Sequence, residues 1–173
     1  MSGPALIVVS GQPGTGKTTL AHEIARAVGA PAICRDEIRE GMVHAGTPDR
    51  TMRRAYDAFF DTLGVLLRAG CTVVAEAAFQ DRLWRPILSP MAGLATIRII
   101  RCATAPAVAR SRIEQRMLVA TRAAHDDRGH LTRPPDPAWT PISLDVPTLD
   151  VDTTDGYDPG LPEIIAFAAA RRS

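Results

Sequence analysis

Lys17 is the one lysine among the 20 Lys and Arg residues of this chain. It sits within the run Gly11-Gln12-Pro13-Gly14-Thr15-Gly16-Lys17-Thr18, which fits the pattern GxxxxGK[ST]. Residues of these types at this spacing hold polyphosphate. Glycines 11, 14 and 16 let the backbone turn successive N–H groups inward on an anion. The helix expected to follow, through Thr18 and Thr19, aims its positive N-terminus at the same place. Lys17 supplies a compact ammonium for phosphate oxygens, and Thr18 a hydroxyl for Mg²⁺. A nucleoside triphosphate is therefore the expected ligand. The shortage of lysine elsewhere reads as Arg written for Lys by a GC-rich genome.

Further polar residues fall where a transferred phosphoryl group would need them. If a hydroxyl is the acceptor, it must lose its proton as it attacks phosphorus, and Asp36 is the candidate to orient it and take that proton; the alternative role for Asp36 is a helix cap. Arg39, three residues on, shares nearly the same helix face and is a candidate grip on the acceptor, or a surface arginine paired with Glu37 or Glu40. Glu76 ends an apolar strand, where a charge is costly without metal, water or arginine beside it. It is a candidate to hold Mg²⁺ through water or to touch the acceptor, or a structural carboxylate. Arg112 and Arg116, four apart on one helix face, are candidates to stabilise transition-state charge; a surface helix salt-bridged through Glu114 explains the same letters. Four histidines, at 22, 44, 125 and 130, show no metal-ligand spacing and read as solvated or capping groups, with His44 close enough in sequence to Asp36 to line an acceptor pocket. Trp84 and Trp139 read as packing residues ahead of base-stacking ones.

The elements that must position these groups alternate. Ala5 to Val9 reads as a buried strand entering the glycine loop, and the helix leaving it ends near Gly29. Pro31 to Cys34 is a short second strand that delivers Arg35-Asp36-Glu37-Ile38-Arg39. A long helix from about Arg50 to Ala69 carries the stripe Tyr56, Phe59, Phe60, Leu63, Leu66 and Leu67, and Thr72 to Ala75 is a third strand reaching Glu76. Pro86 is expected to interrupt or shorten a helix from about Asp81. Leu94 to Arg101 reads as a fourth strand, Ala107 to about Ala123 as a helix, Leu149 to Asp152 as a last strand, and Pro162 to Arg171 as a closing helix. Prolines 134, 135, 137, 141 and 147 with Gly129 make 126–147 a loop or flexible lid, the whole lid region running over 117–147. The expectation is an α/β fold: a parallel five-stranded sheet with helices on both faces, in one domain over 1–173, binding ligands at the carboxyl ends of its strands.

Composition agrees with an ordinary globular chain: 173 residues, 46% hydrophobic, 23% charged and a formal net charge of +1. Extensive nonspecific nucleic-acid binding is not expected at that charge, although a short nucleic-acid end would fit an arginine-lined cleft. Cys34, Cys71 and Cys102 form no CxxC pair and read as buried or neutral thiols. No apolar run approaches the ~18–20 residues of a membrane span and no leader is apparent, so the expected location is the cytoplasm.

The sequence has no asparagine and no second lysine, hence no NKxD box for guanine, which points to ATP. A motor ATPase is disfavoured by the lack of a paired Asp-Glu after the third strand. The segments GQPGTGKTTLA, CRDEIR, VVAEAAF and SRIEQR together resemble the predicted-kinase branch of P-loop proteins, AAA-type ATP-binding kinases that include phage-type polynucleotide kinases, chloramphenicol phosphotransferase-like enzymes and zeta-toxin-like kinases. The resemblance implies a P-loop kinase using ATP and Mg²⁺, with the aspartate matching Asp36 as general base, the arginine matching Arg39 on an acceptor phosphate, and Arg112 and Arg116 as lid arginines. It also implies that Thr153, Thr154 and Asp155 pass near adenine. The family more often carries Asp where Glu76 stands. The acceptor is left open between a small-molecule hydroxyl and a 5′-hydroxyl nucleic-acid end, and a non-enzymatic ATP-binding switch acting on a protein partner is the competing reading.

Overall fold

A computed structural model describes residues 3–47, 53–118 and 139–170. Five strands, β1 (Ala5–Gly11), β2 (Ala32–Cys34), β3 (Val73–Ala77), β4 (Thr96–Ala103) and β5 (Thr148–Asp152), form one sheet in the order β2-β3-β1-β4-β5. Every neighbouring pair is parallel. The helices are α1 (Lys17–Val28), α2 (Arg35–His44), α3 (Arg53–Arg68), α4 (Asp81–Met91), α5 (Pro106–Arg116) and α6 (Leu161–Ala169). The strand order reverses at β1, and its carboxyl end is where an open parallel sheet opens a ligand crevice.

Alternation along β1 assigns the two faces. Ile7 and Val9 pack with Leu20, Ala21, Ile24 and Ala25 of α1 and with Ile164 and Ala168 of α6. Leu6 and Val8 face the other way, toward Phe59, Leu63 and Leu67 of α3 and Trp84, Leu88 and Met91 of α4. The stripe on α3 is core, with Tyr56 and Leu66 at its margin. Trp84 is fully buried, 5.4–5.8 Å from the rings of Phe59, Phe60 and Phe79, and its Nε1 donates to Ser10 Oγ at 3.1 Å. Packing is thus its role.

Two expectations change. Pro86 does not break α4, which runs through both Pro86 and Pro90 to Met91. Both prolines are exposed, so the carbonyls they leave without an N–H partner lie on the solvent side, and burial of Trp84, Leu88 and Met91 on the other face holds the helix together. Secondly, the 139–147 stretch of the lid region is docked on the body of the fold. Ile142 is fully buried in the α3–α4 core, with Leu144 and Val146 packed against it. The Asp81 N–H donates to Thr140 O at 3.0 Å, the Ser143 N–H to Asp81 Oδ1 at 2.8 Å, and Arg85 Nη2 to Ser143 O. The remaining lid positions, 119–138, with His125 and His130, lie outside the described residues, as does the expected start of the long helix at residue 50.

Asp81 is the hinge pin of that docking. Burial pushes its carboxyl up, but hydrogen bonds from Arg85 and the Ser143 N–H outweigh burial and hold it below the usual carboxylate range. Its contribution to stability is therefore present above the unfolded value of about 3.9 and lost as pH falls through the lower folded value. Asp81→Asn is expected to lower stability by on the order of 1 kcal/mol at neutral pH. Urea denaturation of both proteins across a pH series should show that difference shrinking in acid.

Candidate functional site

Gly11 ends β1, residues 12–16 form the loop, and α1 begins at Lys17. No acidic residue occupies the first turn of α1, so the positive end of its dipole is left for an anion. Gly14 has φ +82°, and a Cβ there would meet the Ala109 carbonyl oxygen of α5 at 2.6 Å. The loop is pressed against α5 at a point where only glycine fits. Lys17 Nζ donates to Gln12 O at 2.9 Å, and Thr15 Oγ1 donates to the same carbonyl at 2.8 Å.

Glu76 converges on this loop from β3. Its register partners are Val9 on β1 and Cys34 on β2, a row that faces α1. Thr18 Oγ1 donates to Glu76 Oε2 at 3.1 Å, and Lys17 Nζ stands 3.9 Å from Oε1. Lys17 is 7% exposed and Glu76 2%. Burial is the strongest influence on the Glu76 carboxyl and raises it; Lys17 and the Thr18 hydroxyl oppose that shift, while the charges of Asp36 and Glu37 add to it. Two hard oxygen donors thus lie side by side at the anion-binding end of α1, in a buried place where a carboxylate gains from a cation. Thr18 and Glu76 fit Mg²⁺.

Asp36 follows two residues after Cys34, the register partner of Glu76 on β2, and its charge raises the Glu76 carboxyl. It stands in the first turn of α2, whose cap position is Cys34, so the cap alternative is set aside. Arg35 Nη1 donates to Asp36 Oδ1 at 2.6 Å, and the Arg35 guanidinium lies 5.7 Å over the Phe79 ring. Arg39 is half-buried on the same helix, and its Nε is buried with no hydrogen-bond partner among the described residues. Of the acids considered as its partners, Glu37 instead pairs with His22 at 2.7 Å. His44 is exposed at the end of α2.

Arg112 docks onto the loop from behind. Nη1 donates to Thr153 Oγ1 at 3.1 Å, Nη2 donates to Thr153 O at 2.6 Å, and Nη1 also lies 3.5 Å from Gly14 O. Thr153 is buried and its hydroxyl donates to Thr15 O at 2.8 Å. Arg116 is half-buried at the end of α5, while Glu114 is taken by Arg110 at 3.1 Å. The resemblance implies only that Thr153 passes near adenine; the brace went unread because a threonine after a strand carries no local sign of a partner 138 residues away. His22, Cys34 and Glu37, from α1, β2 and α2, bring their ligand atoms within 4.8 Å of one another, an arrangement that chain spacing does not reveal.

A family model described as an AAA domain matches residues 6–133. No curated protein sequence matches the chain. Among solved structures, a candidate kinase from Chloroflexus aurantiacus J-10-fl is 25% identical, with a TM-score of 0.78 over 96% of this chain and 97% of that one. The APS kinase of Mycobacterium tuberculosis, in complex with AMPPNP and APS, is 17% identical, with a TM-score of 0.65 over 98% and 100%. Kti12 of Chaetomium thermophilum, in complex with ADP-AlF3, is 17% identical, with a TM-score of 0.63 over 95% and 100%. The fold is that of P-loop kinases, and the first of these likenesses supports phosphoryl transfer as the general class of chemistry. No helix among the described residues is long and apolar enough to cross a membrane.

The fit of the loop against α5 can be tested with two glycines of similar backbone. Gly14→Ala is expected to abolish measurable binding of nucleoside triphosphate in calorimetry. Gly29→Ala, at φ +69° but with nothing within 4 Å of the added Cβ, is expected to bind as the parent does and to lose on the order of 1 kcal/mol of stability.

Proposed function

The chain belongs to the AAA domain family, and from that premise we propose that it is an ATP- and Mg²⁺-dependent kinase that moves the γ-phosphate to a hydroxyl. The observation that carries the reading is the convergence of Lys17 and Thr18 on the buried carboxylate of Glu76, with Asp36 two residues beyond the register partner of Glu76 on β2. Loop amides of residues 11–16 and the N-terminus of α1 hold the β- and γ-phosphates. Lys17 exchanges the Gln12 carbonyl for phosphate oxygens, an exchange a flexible ammonium makes readily. Thr18, and Glu76 through water, would hold Mg²⁺, which would supply charge neutralisation at the phosphates.

Asp36 orients the acceptor hydroxyl and takes its proton as the oxygen attacks phosphorus. Arg35, bonded to Asp36 and laid over Phe79, holds that carboxylate in place. Arg39 contacts a polar or anionic part of the acceptor. Arg112 keeps the loop in its phosphate-binding path, and from the same helix Arg116 stabilises charge on the transferring group. The acceptor is either a small hydroxylated molecule or a 5′-hydroxyl nucleic-acid end.

The experiment follows γ-labelled ATP with Mg²⁺ over a panel of 5′-hydroxyl oligonucleotides, nucleosides, sugars and hydroxylated antibiotics. Label is expected on one class of acceptor. Asp36→Asn is expected to cut kcat by about a hundredfold to ten-thousandfold while ATP affinity stays unchanged. ATP binding with no acceptor labelled, and no effect of Asp36→Asn, would instead support an ATP-binding switch acting on a protein partner.

A further inference from the structure

Behind the nucleotide loop, on the α1 side of the sheet edge, three ligand-type side chains meet that the proposed reaction does not use. His22 lies one turn after Thr18 on α1. Cys34 is the last residue of β2, and Glu37 lies in the first turn of α2. His22 Nε2 is 2.7 Å from Glu37 Oε1 and 3.8 Å from Cys34 Sγ. Cys34 is 2% exposed, whereas the other two side chains are partly open to solvent. We infer that His22, Cys34 and Glu37 form a binding site for a Zn²⁺-class cation, with a fourth position open to water.

The donor set selects the metal. A thiolate with an imidazole suits Zn²⁺ and disfavours Mg²⁺, which takes oxygen ligands in a near-ideal octahedron. Tetrahedral bonds of about 2.3 Å to sulfur and about 2.0 Å to nitrogen set the S···N separation near 3.5 Å, and the observed 3.8 Å lies close to it. The His22–Glu37 contact must open from 2.7 Å to about 3.3 Å, a small movement of two partly exposed side chains that exchange a hydrogen bond for metal bonds. The surroundings are negative. Glu76, in register with Cys34, and Glu37 place two carboxylates beside the thiol. On binding a divalent cation the S–H proton leaves to solvent as the metal–sulfur bond forms, and His22 binds as neutral imidazole. Cys34 directly precedes α2, which carries Asp36, and His22 shares α1 with Thr18. The cation therefore ties the two helices that bear the proposed base and the proposed Mg²⁺ ligand. The inference stands whether or not the chain is a kinase.

The test is metal titration of the full chain, reduced, in buffer that already contains Mg²⁺. Co²⁺ is expected to bind one to one with a thiolate-to-metal charge-transfer band, and Zn²⁺ to displace it. Cys34→Ser should abolish the band and weaken Zn²⁺ binding by more than the roughly 10–100-fold that outer-shell changes cost. Cys71→Ser should leave both intact. Should the buried Cys34 variant fail to fold, His22→Gln and Glu37→Gln carry the test, each expected to weaken Zn²⁺ at least tenfold while retaining the parental circular dichroism spectrum. Absence of a thiolate band in the parent, or unchanged Zn²⁺ affinity in these variants, overturns the inference and leaves the three groups as a hydrogen-bonded chain.

Discussion

A carboxylate buried beside a buried ammonium sets the terms for everything around it. Taking either charge out of water alone would cost several kcal/mol, so Glu76 and Lys17 depend on each other and on the hydroxyl of Thr18. The pair joins β3 to the loop and to the first turn of α1. It also explains why a glutamate is tolerated in an otherwise apolar strand, Val73–Ala77, on a face lined by Val9 and Ile100. At 3.9 Å the contact is long, and Lys17 spends its shorter bond on the Gln12 carbonyl. Such an arrangement stays adjustable, because neither partner has its full complement of close bonds.

The loop is also held by a second brace. Thr153 accepts from Arg112 and donates to the Thr15 carbonyl, so α5, the turn after β5 and the glycine loop share one buried hydroxyl. Gly14 lies against Ala109 with no room for a side chain. Within the loop the Thr15 N–H donates to the Gln12 carbonyl at 3.4 Å, and the rest of its shape comes from carbonyl and side-chain contacts to its neighbours. The brace supplies them.

Glu76 also connects outward. Its register partner Cys34 precedes α2, and His22 reaches Cys34 from α1 one turn beyond Thr18. A charged group bound at one end of this row would be felt at the other, since Asp36 and Glu37 both raise the Glu76 carboxyl and Glu76 and Glu37 both raise the Cys34 thiol. The edge strand β2 is only three residues long, and side-chain contacts of this kind do much to fix where α2 begins.

Much of the fold was legible in local pattern. The glycine loop between an apolar strand and a helix, the five strands, the stripe of α3 and the glycine that ends α1 are all encoded within a dozen residues or so, where period and turn chemistry act directly. Local rules erred at Pro86, because burial of one helix face outweighed the lost bond; at 139–147 proline content marked a loop or flexible lid but not that Ile142 fills the core. Of the site, residue types and spacing marked Lys17, Thr18 and Glu76 as groups able to do phosphate chemistry, and the family resemblance added most of the weight for Asp36 and support for Arg112. Which of them meet, and through what, was decided by the sheet order β2-β3-β1-β4-β5, which sets Glu76 against Lys17, Thr153 under Arg112 and His22 beside Cys34. Contacts between residues 12 to 138 positions apart arise from packing of whole elements, and no spacing along the chain records them.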